Sequence, residues 1–139
     1  MKNILSLIIM CFATLIAHAQ NEKPFDVEIY NDEYKVSIKM NLYDKNITVP
    51  RQEVYGELDG FISSKQSSSV WLITSSKIIN DKTAEIEVVN DYGSEDFIAT
   101  LKLNENGTYT LDKTDGSTLK FAVNRKWQKL PGKVVFTKK

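Results

Sequence analysis

The residues that most often carry enzyme chemistry are nearly missing from this chain. Its one cysteine, Cys11, and its one histidine, His18, both fall within the first nineteen residues. Beyond residue 19 a Ser-His-Asp triad and a Cys-His dyad are excluded, as are zinc or haem sites built on imidazole or thiolate. Carboxylate pairs, a lysine base, tyrosine and oxygen-bound hard cations stay open. Asn90-Asp91-Tyr92-Gly93-Ser94-Glu95-Asp96 sets five oxygen-bearing side chains around Tyr92. A calcium ion takes six to eight oxygens, but this spacing matches no known calcium loop, and a solvated hairpin loop accounts for it. The acids sit mostly at strand-surface or turn positions, and nothing in the sequence pairs two of them at hydrolytic spacing. The reading is a non-catalytic protein with no metal ligand and no cofactor.

Binding chemistry is better represented. Val70-Trp71-Leu72-Ile73 is apolar throughout. In a strand Val70 and Leu72 share one face, Trp71 and Ile73 the other. One pair faces the interior. The other is covered by a terminal segment, such as the region of Trp127, or is offered to a partner. Trp tolerates partial exposure better than Leu, so Trp71 and Ile73 are placed outside as anchors. Tyr92 joins them from its loop. Tyr30, Tyr43 and Tyr55 also sit near strand ends, where they line a rim or cap the core.

Charge adds two more candidates. Residues 20–112 hold nine Lys/Arg against seventeen Asp/Glu, whereas residues 113–139 hold eight Lys/Arg and only Asp115. Basic strands paired beside acidic ones would cancel this field, whereas a basic face would attract an anionic partner. Lys126 and Lys129 represent that face. The ligand or partner set is thus Trp71, Ile73, Tyr92, Lys126 and Lys129, for an unknown small molecule or protein. Residues 20–139 carry a net charge near −1 and no nucleic-acid motif, so no nucleic acid is expected.

The N-terminus reads as an export signal. Lys2 is followed by the apolar run Ile4 to Ile16 and by Ala17-His18-Ala19, a small-x-small cleavage site that leaves Gln20 as the new N-terminus. The run is too short for a membrane span of about 20 residues, so no span is expected after cleavage. Ile8-Ile9-Met10 before Cys11 lacks the small residues of a lipidation signal. The expected location is periplasmic or secreted. Asn46-Ile47-Thr48 and Asn106-Gly107-Thr108 match the glycosylation pattern by accident in such a setting.

The elements that must position these residues alternate with period two. Tyr34, Val36, Ile38, Met40 and Leu42 interleave with polar residues, as do Ala84, Ile86 and Val88, then Phe97, Ala99, Leu101 and Leu103, then Leu119, Phe121 and Val123. Shorter strands are expected at 25–29, 109–111 and 134–136. Asn104-Glu105-Asn106-Gly107 and Thr114-Asp115-Gly116 supply the positive φ of tight turns. Residues 83–123 therefore read as a four-strand antiparallel meander. Pro50, Gly56 and Gly60 make residues 47–62 irregular, and a single helical turn fits best within Asn124 to Leu130. The fold class is all-β: one domain over residues 20–139, an antiparallel meander barrel of eight or nine short strands, with a sandwich as the alternative.

The hairpin Leu103-Asn-Glu-Asn-Gly-Thr-Tyr-Thr-Leu111, together with the export signal, resembles small lipocalin-like (calycin-type) domains exported by Gram-negative bacteria. The resemblance implies a meandering barrel. It carries over no binding residue, because the Gly-x-Trp of a lipocalin first strand is missing. The expected function is an exported binding protein. The alternative is an inhibitor or immunity protein acting by protein–protein contact. A ligand binder needs a lined cavity of several hundred Å³, whereas an inhibitor needs a convex patch or projecting loop over a packed interior.

Overall fold

The computed structural model describes residues 23–139, so the export signal and Gln20 lie outside the described residues. The strands are β1 (Asp26–Asn31), β2 (Val36–Asn41), β3 (Ile47–Thr48), β4 (Glu57–Leu58), β5 (Gly60–Ser64), β6 (Val70–Asn80), β7 (Thr83–Asn90), β8 (Asp96–Leu103), β9 (Tyr109–Gly116), β10 (Lys120–Val123), β11 (Lys126–Lys129) and β12 (Lys133–Lys138). Eight of them close an antiparallel barrel in the order β1-β2-β5-β6-β7-β8-β9-β12, and β12 returns to β1. Chain order and spatial order are the same. Two ribbons, β3–β4 and β10–β11, are inserted into this meander.

Period-two alternation builds the wall, because successive side chains point to opposite faces. Ile38 lies opposite Ile29 on one side and Ile62 on the other. Val88 is flanked by Ile73 and Phe97 in the same way. These residues are buried, as are Met40, Ile86, Leu101 and Phe136, whereas Lys39 next to Met40 is exposed. Each fully buried aliphatic or aromatic side chain stabilises the fold by about 1.5–3 kcal/mol. An eight-stranded barrel has an interior about wide enough for its own side chains, and here they occupy it.

Both mouths are also plugged. At one, Phe25 lies edge-on to Tyr109 with centroids 6.4 Å apart, and the Tyr109 hydroxyl donates to the Pro24 carbonyl at 2.6 Å. At the other, the β10–β11 ribbon lays Leu119, Phe121 and Leu130 into the core. The closing seam pairs Ile29 with Lys138 and Tyr30 with Thr137. Around it, Asn31 Nδ2 donates to the Val135 carbonyl, and Lys139 forms an ion pair with Glu28 at 2.8 Å.

Several local expectations are corrected. Trp71 and Ile73 point inward and belong to the core, so they do not form an outer face. Leu72 points outward and is buried nonetheless. In the irregular segment after β2, β4 packs against β6 and β3 against β2, and Val49 is fully buried. The meander runs through β7, β8 and β9, but its expected fourth strand, β10, leaves the barrel to pair with β11. The turn expected at Thr114-Asp115-Gly116 stays in the ladder, with Asp115 opposite Ile98 and Gly116 opposite Phe97, because a bulge beside Ile98 absorbs the extra residue. Residues 124–130 form no helical turn. Asn124 and Arg125, both at positive φ, make a two-residue hairpin loop into β11.

Candidate functional site

The β10–β11 ribbon is an alternating structure with two different faces. Its register pairs Lys120 with Lys129, Phe121 with Gln128, Ala122 with Trp127 and Val123 with Lys126. Phe121, Val123 and the flanking Leu119 and Leu130 face the barrel. The opposite face presents Lys120, Lys129 and Trp127. Trp127 is 60% exposed, and the Lys120 ammonium lies over its ring at 4.8 Å. Lys120 also reaches Glu95 at 3.1 Å, tying the ribbon to the β7–β8 loop.

The same mouth carries that loop. Asn90 organises it: its Oδ1 accepts from the Ser94 and Glu95 amides, and its Nδ2 donates to Ser94 Oγ. The Asn90 side chain is therefore committed to the loop's own backbone. Tyr92 projects from it, 82% exposed. Three of the sequence-derived candidates, Tyr92, Lys126 and Lys129, thus gather at one mouth, with Lys126 on the opposite ribbon face from Lys129. Trp71 meets the ribbon only from within: its indole N–H donates to the Lys120 carbonyl at 2.9 Å, and its ring packs on Phe97. That bond satisfies the indole and explains why a Trp is held inside at this position. Ile73 lies deeper, fully buried.

Three features of the ribbon work against its own stability. Like charges directly opposite across strands are destabilising, and Lys120 faces Lys129. Arg125 adopts φ +66 where glycine would be unstrained. Trp127 keeps most of its apolar surface in water. Local misfits of this kind concentrate where a structure is shaped for something besides folding. The reading from sequence missed Trp127, Lys120 and Arg125. Strict alternation from Phe121 would have put Trp127 on the inward face with Val123; the two-residue loop at Asn124-Arg125 shifts the phase by one, so that Gln128 and Leu130 turn inward and Trp127 turns out.

Beside the ribbon the outer wall holds a groove of about 260 Å³ lined by Thr74, Glu87, Val89, Asp96, Ile98 and Asp115. Two bulges flank it, one at Thr74 and one at Thr114. Gly116 is required at its rim: it has φ +94, and a Cβ there would lie 2.5 Å from the Asp96 carbonyl oxygen.

The opposite mouth differs. An open groove of about 550 Å³ is bordered by Lys23, Lys82, Lys138, Asn104 and Tyr109. Burial pushes the Tyr109 phenol above its usual value near 10. The buried Asp59 has a structural task there, accepting from Ser76 Oγ and lying 3.7 Å from the Lys45 ammonium. Val54 and Tyr55, on the 3-10 turn Glu53–Tyr55, are exposed near this end. At the ribbon mouth, Asp32 is held below its ordinary value by the hydrogen bond from Lys35 in the β1–β2 turn.

No family model, curated protein or solved structure matches this chain, and the functional argument rests on the geometry above.

Proposed function

We propose that this chain is an exported, non-catalytic binding protein that works by contact with a protein partner through the β10–β11 ribbon and the β7–β8 loop. The observation that carries this reading is the position of Trp127. Inward side chains fill the barrel and both mouths are plugged, yet this indole stays outside, on the same face as the facing pair Lys120 and Lys129. Exposed Trp and Tyr beside cations are the side chains that dominate protein interfaces. A packed interior beneath a projecting ribbon supports a contact protein over a carrier of an enclosed ligand. One observation favours a second reading, a binder of a small anion: the three lysines around the open groove at the far mouth.

A photo-crosslinking residue at position 127, compared with one at the exposed wall position Val135, tests the proposal in the native host. A discrete protein adduct from 127 and none from 135 is expected. No adduct at 127, with a small molecule retained on the purified protein in native mass spectrometry, would replace the first reading by the second.

A further inference from the structure

The ribbon and the wall groove are neighbours on one chain and opposite in chemistry. Lys120 and Lys129 share the Trp127 face of the ribbon, with Arg125 in its loop and Lys126 on the other face, whereas Glu87, Asp96 and Asp115 line the groove together with Val89 and Ile98. Only Ser117, Thr118 and Leu119 separate the groove rim at Gly116 from β10. Lys120 points toward the groove side of the ribbon, since it holds Glu95, the residue before Asp96.

This adjacency selects the kind of partner. A uniformly anionic surface, such as an acidic membrane or a polyanion, would be attracted by the ribbon and repelled by the groove beside it. A second copy of the same chain meets both demands. In a two-fold arrangement the same patch serves on both sides, so each ribbon lies on the other chain's groove. The indole then enters a mainly polar cleft in which Val89 and Ile98 offer it apolar contact, and Lys129 beside it meets the carboxylates of Glu87, Asp96 and Asp115. Lys129, which faces Lys120 across the ribbon, gains an opposite charge there.

We infer that a second copy of this chain occupies the ribbon face, with Trp127 of each copy seated in the acidic groove of the other. The inference rests on the reading of the ribbon as a contact surface and names its occupant. Sedimentation velocity of the protein purified from its native host tests it. A concentration-dependent dimer is expected, weakening roughly tenfold or more between low salt and about half-molar salt. Lys129→Glu alone and Glu87→Lys alone should each weaken it by a similar factor. An equimolar mixture of the two variants should recover a mixed dimer, because each altered surface then meets its complement. Both substitutions lie on exposed positions, and an unchanged circular dichroism spectrum confirms that they fold. A chain that stays monomeric at low salt, a dimer indifferent to both substitutions, or a mixture that fails to pair would each overturn the inference. A position-127 adduct to a different protein, with the chain monomeric, would remove the second copy and leave the contact reading standing. Absence of any adduct at 127 would remove both.

Discussion

Trp71 and Trp127 are placed under opposite demands, and their substitutions separate accordingly. Trp71 packs on Phe97 and gives its N–H to the Lys120 carbonyl, and it is 2% exposed. Trp71→Ala should therefore destabilise by about 3–5 kcal/mol, the scale of a large aromatic removed from a core. Trp127→Ala should stay within about 0.5 kcal/mol of the parent. Urea unfolding followed by circular dichroism separates the two, and a Trp71→Ala protein that unfolds at the parent midpoint would refute the inward placement. Tyr109 sets a pH dependence. Its pKa is raised by burial, so folding favours the neutral phenol. The associated stability is fully present below the unfolded value near 10 and is lost as pH rises through the higher folded value. Tyr109→Phe should lose about 1 kcal/mol at neutral pH with the hydrogen bond to Pro24, and its stability should fall less steeply than the parent's above about pH 10. Urea midpoints measured from neutral to alkaline pH give both quantities. Parallel curves for parent and variant would contradict the assignment.

The inserted ribbons are where local chemistry and fold diverge. The β10–β11 loop holds Arg125 at φ +66, a conformation that glycine adopts without strain. Arg125→Gly should stabilise the chain by about 0.5–1 kcal/mol in thermal unfolding. A loss would mean that the arginine side chain contributes more to the fold than its backbone strain removes. The regular strands were readable from the sequence because a half-buried strand writes its burial into every second residue, as Val36, Ile38 and Met40 do. The cover over Leu72 was not. The element that packs against β6 there, Glu57–Leu58, is two residues long and too short to show a period. Trp71 is held inside because its polar N–H finds the Lys120 carbonyl there. The candidate site was half readable. Composition pointed to Lys126, Lys129 and Tyr92, but Trp127 needed the pairing of β10 with β11, which depends on a loop of Asn and Arg where glycine signals were sought.

Over the whole molecule, the meander follows from the spacing of turns, while closure does not. Each strand pairs with its sequence neighbour, so the same pattern could end as an open sheet or a sandwich. What decides for a barrel is the match of β12 to β1, a match between distant segments. Closure removes the edges that an open sheet would offer to other chains, and it leaves the inserted ribbons as the places where the chain can vary its surface. The charge division along the sequence then becomes largely spatial: the basic segment after residue 112 supplies one end's ribbon, and the acidic strands before it, joined by Asp115, supply the adjacent wall.

The seam also sets a schedule. Its hydrogen bonds and ion pair join residues 104 to 111 positions apart, so no earlier part of the chain can form them. Until Lys133–Lys138 has emerged, β1 and β9 lack a neighbour and the barrel has no closed form to reach. Contacts that depend on so long a loop are late and slow in folding. If the chain is exported as proposed, this dependence on Lys133–Lys138 would delay closure of the barrel until that segment has joined β1 and β9.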